Sequence, residues 1–173
     1  DVDRPNPAAG TVRIRNRPRD GRNRDVVEQV GDSESALIYP FFRGRDIRPW
    51  VAEPSGYMLV TQDPAEFTNL LGEQEFERRF PKALSWLRRH RTVLQTRSVP
   101  NAGWDIAGRD WYRLEGPWAH LGSGHLVVLP EQALPPPAAV VRADHMDFAL
   151  GRMTMPIPNH KVVFCAVPTF DEA

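Results

Sequence analysis

The residues best equipped for chemistry lie in one short run, Tyr39-Pro40-Phe41-Phe42-Arg43-Gly44-Arg45-Asp46-Ile47-Arg48-Pro49-Trp50. Arg43, Arg45 and Arg48 are planar guanidinium forks, which grip oxyanions and guanine edges through paired hydrogen bonds. Gly44 stands between the first two, where its freedom at positive φ would let a tight turn splay them apart. Asp46 offers the competing outcome, an ion pair that neutralises one arginine and pins the turn. Donors of the same kind recur at Arg109, in the glycine-punctuated stretch before Trp111, and at Asn159-His160-Lys161, a polar bend before the final apolar run. Arg43, Arg45, Arg48, Arg109, Asn159, His160 and Lys161 are therefore the candidate binding residues, and recognition of an anion is the chemistry they offer.

Catalytic patterns do not emerge. His90, His120, His125, His145 and His160 form neither H-x-x-x-H nor H-E-x-x-H, and the single Cys165 excludes a Cys-rich zinc site. Asp144 and Asp147 are not followed by the Glu-x-Lys of a nuclease cluster. Ser123 sits in Gly122-Ser123-Gly124 without the frame of a nucleophile elbow, and the glycines at 103 and 108 do not build a phosphate loop. No catalytic, metal-binding or cofactor-binding residue is assigned.

The elements that must hold the arginines come next. A chain of 173 residues with 41% hydrophobic content and five tryptophans is long enough for one folded domain, and its 17 prolines call for short elements and many loops. We expect an α+β fold: a curved, mostly antiparallel sheet of short strands with about two helices. Residues 1–10 read as irregular. Thr11–Arg15 alternates as an edge strand, 16–24 as a turn, and Asp25–Val30 as the returning strand, followed by a polar turn at 31–35. Residues 1–35 would thus be a leading hairpin and 36–173 the main body.

Leu37–Phe42 and Tyr57–Val60 are apolar strands. Thr61 or Asp63 offers an N-cap, with Pro64 at a first helical position and Glu66 completing a capping box if Asp63 is the cap, for a short helix to about Leu71. The strongest helix begins at Phe80-Pro81, with Phe80, Leu84, Leu87 and Leu94 on one face and Arg88, Arg89, His90 and Arg91 away from it. Arg97 would complement its C-terminal dipole. Trp111-Tyr112, Leu126–Leu129, Ala138–Val141 and Val162–Val167 read as strands, Cys165 as a small core residue of the last, and Pro135-Pro136-Pro137 as an extended elbow.

The formal net charge is zero, but residues 1–24 and 43–113 carry net +4 and +3 while 25–42 and 114–173 carry −4 and −3. Lys82 and Lys161 are the only lysines among 22 cations. No apolar run approaches a membrane span and no signal peptide is apparent, so a soluble cytoplasmic protein with no membrane partner is expected.

The order of three segments resembles a known family. Tyr39–Ile47, then Pro81–Arg97, then Trp111-Tyr112 are similar to the TaqI-like specificity domain of adenine-specific DNA methyltransferases in restriction-modification systems, most clearly from about Ala36 to Leu114. The resemblance implies a target-recognition domain excised from a larger protein. Its partners would be double-stranded DNA and a methyltransferase domain of the parent chain, which would use S-adenosylmethionine; this fragment would carry no cofactor and no methyl transfer of its own. It also implies that the Pro81 helix supports the recognition surface and that Trp111 is largely structural. Where the family usually has a lysine-containing strand near Leu126, His125 leads into apolar residues instead, a departure that counts against a lysine-mediated contact from this strand. If about five phosphates were neutralised, affinity would fall with salt at a log-log slope of about −4 to −5. Two other classes compete: a protein-interaction domain whose arginines serve ion pairs, and a small stand-alone hydrolase.

Overall fold

The computed structural model describes residues 2–6, 9–20, 26–97, 103–114, 124–132, 134–144, 146–147, 150–159 and 161–168. In chain order the strands and helices are β1 Val2–Asn6, β2 Thr11–Arg15, β3 Val30–Glu34, β4 Ile38–Phe42, β5 Ile47–Arg48, β6 Val51–Ala52, β7 Gly56–Leu59, β8 Gln62–Asp63, β9 Glu66–Leu70, α1 Glu73–Arg79, α2 Pro81–Arg89, α3 Arg91–Gln95, β10 His125–Pro130, β11 Ala139–Val141, β12 Met146–Asp147, β13 Arg152–Met153, β14 Ile157–Pro158 and β15 Val162–Val167. The fold is α+β, and among the described residues it has short, mostly antiparallel strands gathered in several small sheets and three α-helices. Contacts divide the chain into two compact units, Asp1–Leu37 with Val60–Glu115 and Ile38–Leu59 with Gly116–Ala173. Trp118, His120, His145 and His160 lie outside the described residues.

In the first unit, β2 pairs with β1 on one side and β3 on the other. Val12 and Ile14 point inward and Arg13 outward, as the alternation predicts. The neighbours of β2 differ from expectation. Residues 2–6 form a strand rather than irregular chain, and the returning strand is Val30–Glu34, not Asp25–Val30. Asn16 explains the second shift: its side chain donates to Val27 O at 3.0 Å and accepts the Gln29 N–H at 2.7 Å, holding 27–29 in a side-chain-closed loop. Gly31 is then required by contact, since a Cβ there would lie 2.3 Å from Cε3 of the buried Trp86. The same strand caps a helix. Glu34 accepts the Lys82 and Ala83 N–H groups at 3.0 and 2.9 Å, so the start of α2 is capped by a carboxylate from β3 rather than by its own N-cap residue.

Pro81 opens α2 and ends α1, because its ring removes an N–H and blocks the preceding turn. The predicted apolar face of α2 is buried through Ala83, Leu84, Trp86 and Leu87. The Asp63-Pro64 helix does not form; β8 and β9 make a hairpin there. Asp63 Oδ1 accepts the Ala65 N–H at 3.0 Å, and both its oxygens take the Arg79 guanidinium at 2.8 and 2.9 Å. The side chain that would have capped a helix is thus turned back on its own loop and on α1. Trp111 and Tyr112 are buried but lie in a turn, not a strand: the indole donates to Glu73 Oε2 at 3.0 Å and the Tyr112 hydroxyl donates to Leu71 O. Arg97 serves these carbonyls, donating to Trp111 O and Arg113 O, rather than a helix dipole.

In the second unit β4 lies between β14, which is parallel to it, and antiparallel β7, while β10 lies between β11 and β15. Phe42, Ile47, Leu126, Val128, Ala139, Val141, Met155 and Val162 form its core. Strand parity corrects the reading of Cys165: Val162 faces inward, so Val163 and Cys165 face out and the thiol is exposed. No helix among the described residues is long and apolar enough to cross a membrane.

Two measurements test the first unit. Gly31→Ala should lower stability by about 1–3 kcal/mol in denaturant unfolding, through collision with Trp86. The Arg79 guanidinium holds the Asp63 carboxyl below its ordinary 3.8, and the Trp111 indole, then Arg88, hold Glu73 below 4.5. The unfolded chain therefore takes up these protons first, so their stabilisation is complete above those values and is lost as pH falls through the lower folded ones. Asp63→Asn should lower the thermal midpoint at neutral pH and flatten its fall in acid.

Candidate functional site

The arginine-bearing segment starts where β4 stops. All five β4 residues are buried, and Phe42 O accepts the Asn159 N–H at 2.9 Å. The chain then tightens into a 3-10 turn, Gly44–Asp46, before the β5–β6 hairpin. Asp46 pins this turn, as the sequence suggested, but by other partners. Its Oδ2 accepts the Arg43 backbone N–H at 2.7 Å and the Ser55 hydroxyl at 2.6 Å, while its own N–H donates to Arg43 O at 2.9 Å.

Gly44 is also there for a reason other than the expected one. It is not among the described residues with positive φ, and a Cβ on it would meet Pro130 Cβ at 3.1 Å and Lys161 O at 3.4 Å. Close approach of strand end to turn, not left-handed backbone, favours glycine here.

The arginines diverge in what they do. Arg43 is half-buried with its guanidinium 5.4 Å from the Phe41 ring centroid, a cation–π arrangement that fixes its direction. Arg48 pairs with Glu53, with both side chains about two-thirds exposed at 66% and 67%, so the pair contributes only about 0–1 kcal/mol. Arg45 is exposed and forms no ion pair with a described residue. Asn159 is structural: its Oδ1 accepts the Lys161 N–H at 2.9 Å and its carbonyl the Val162 N–H at 3.0 Å. That bend turns Lys161 toward Glu131, 3.1 Å from its Nζ, while Lys161 O accepts the Glu131 N–H at 3.0 Å.

These pieces enclose a hollow of about 350 Å³ with Gly44 and Pro130 against Arg43, Arg45, Lys161, Glu131 and Gln132. Among the described lining residues are three cations and one carboxylate, Glu131, which is paired with Lys161. Of the predicted site residues, Arg43, Arg45 and Lys161 are brought together here, Asn159 sets the bend beside them, and Arg48 stands further along the same segment. Arg109 belongs to the first unit, where it is 81% exposed, 3.7 Å from Asp110, and borders a separate polar hollow of about 490 Å³ with Thr68 and Asn69. Glu131 and Gln132 carried no sequence signal, since nothing local ties them to residues 43–45.

Trp50 is the further surprise. It has φ of 68° and is 85% exposed, with its N–H donating to Ala138 O at 2.7 Å. A non-glycine residue in that region costs about 1–3 kcal/mol. Pro49 before it hinted at a turn, but not at a tryptophan in glycine's place.

Comparison with protein-family models, with curated proteins and with solved structures finds no match.

Structural and ligand-facing roles separate by stability. Gly44→Val, which drives two methyl groups toward Pro130 and Lys161, should cost about 1–3 kcal/mol in urea unfolding, whereas Arg45→Ala should stay within about 0.5 kcal/mol of the wild type. An Arg45→Ala loss equal to that of Gly44→Val would assign Arg45 to the fold.

Proposed function

We propose that this chain is a DNA target-recognition domain serving an adenine-specific, S-adenosylmethionine-dependent methyltransferase of a restriction-modification or phage-defence system, acting in the cytoplasm. The catalytic domain is assigned to another part of the parent protein. The observation that carries the reading is the hollow whose described lining brings Arg43, Arg45 and Lys161 together, with Arg45 exposed. Its support from the sequence is the resemblance of Tyr39–Ile47, Pro81–Arg97 and Trp111-Tyr112 to the specificity-domain pattern. A hollow of this kind suits phosphate positioning, with Arg45 placed to read a base edge or to hold a backbone oxygen.

The protein-interaction reading draws on a specific observation too: Arg48 and Lys161 already have acidic partners, Glu53 and Glu131. Binding of duplex DNA, followed by anisotropy as salt is varied, separates the two. With three cations at one hollow, one of them paired with Glu131, the log-log slope should be about −2 to −3 rather than the steeper value expected from five contacts. Arg45→Ala should shallow it by about 1, and Arg45→Glu should remove most binding. Duplex affinity indifferent to both salt and Arg45→Glu would refute the DNA reading in favour of a protein contact.

A further inference from the structure

We propose that Trp50 is a stacking platform for a nucleobase that has left the helical stack. The inference rests on the DNA reading above and names what the β5–β6 hairpin adds to it. Pro49 and Trp50 form the two-residue turn between the paired Arg48 and Val51. Proline followed by a residue at φ 68° is the arrangement of a turn whose second position ordinarily takes glycine or asparagine. Packing does not account for the indole, which is 85% exposed. The backbone that carries it is nevertheless held by the unit's own framework, since the Trp50 main-chain N–H donates to Ala138 O at 2.7 Å and β6 packs beside β11.

The ligand class follows from shape and charge. An indole face stacks well on another flat ring, and on the same segment the exposed Arg45, with Arg48 in an exposed surface pair with Glu53, supplies positive charge for a nucleic-acid backbone. A fully stacked duplex covers the faces of its bases, so the base that meets Trp50 must be extruded or unpaired.

The test is anisotropy with the full chain on a fully paired duplex and on the same duplex carrying one extra unpaired base. The wild type should bind the bulged probe about five- to a hundredfold more tightly. Trp50→Gly should lose that margin, retain salt-dependent binding to the paired duplex, and unfold at no lower temperature, because glycine suits the positive φ. Trp50→Phe should keep most of the margin. Equal wild-type affinity for the two probes, or a margin surviving Trp50→Gly, overturns the stacking role and leaves the DNA reading standing. If neither probe binds, both are overturned, and a change in self-association on Trp50→Gly would mark the indole as a protein contact.

Discussion

Asp46 gives one carboxylate oxygen to two donors, the Arg43 backbone N–H and the Ser55 hydroxyl, and the second unit's exposed chemistry depends on that arrangement. The turn it closes begins one residue after a fully buried strand, so residues 43–48 are joined to the core by backbone geometry. Because the acid is engaged by main chain and a serine, the segment can be rigid while Arg45 stays exposed. A carboxylate engaged with a guanidinium instead would have anchored the loop at the expense of its positive charge. Rigidity of this kind lowers the conformational entropy lost when a ligand is bound.

Elsewhere the arginines are largely framework. Arg88 bridges Glu73 and Glu77, Arg79 clamps Asp63, and Arg89 lies over Trp86 while donating to Val30 O. Arg91 stacks on Trp111 and Arg113 on Trp104. The basic flank of the Pro81 helix, which the sequence sets away from the apolar face, is in large part tied to neighbouring acids and rings. The zero net charge reflects this use: most cations have local work, and those at the hollow are distinguished by position rather than by number.

What could be read in advance were features governed by nearby residues. The apolar run of β4, the alternation of β2, the face of α2 and its opening at Pro81 all follow from spacing. The failures occur where a distant group overrides a local signal. Asp63-Pro64 has every mark of a helix start, yet Arg79 and Ala65 claim the carboxylate and a hairpin results. Trp111-Tyr112 has strand character, but the pair is buried by ring packing and hydrogen bonds to Glu73 and Leu71. Of the site, the arginine-rich turn was legible, as was the bend at Asn159; the facing of Lys161 with Glu131 across from Gly44 was not, because it is made only by the tertiary approach of residues far apart in sequence. His160 lies outside the described residues.

The parallel pairing of β14 with β4 has a bearing on how the chain is made. Ile157 and Pro158 lie beside Phe41 and Phe42, and Val60–Glu115, which belongs to the other unit, is threaded between them in sequence. As the polypeptide leaves the ribosome, the paired β4 and β7 must wait, with the Phe41–Phe42 edge uncovered, through the synthesis of just under a hundred further residues. A nascent chain in that condition carries an unpaired apolar edge that favours premature association until the last third of the sequence is made.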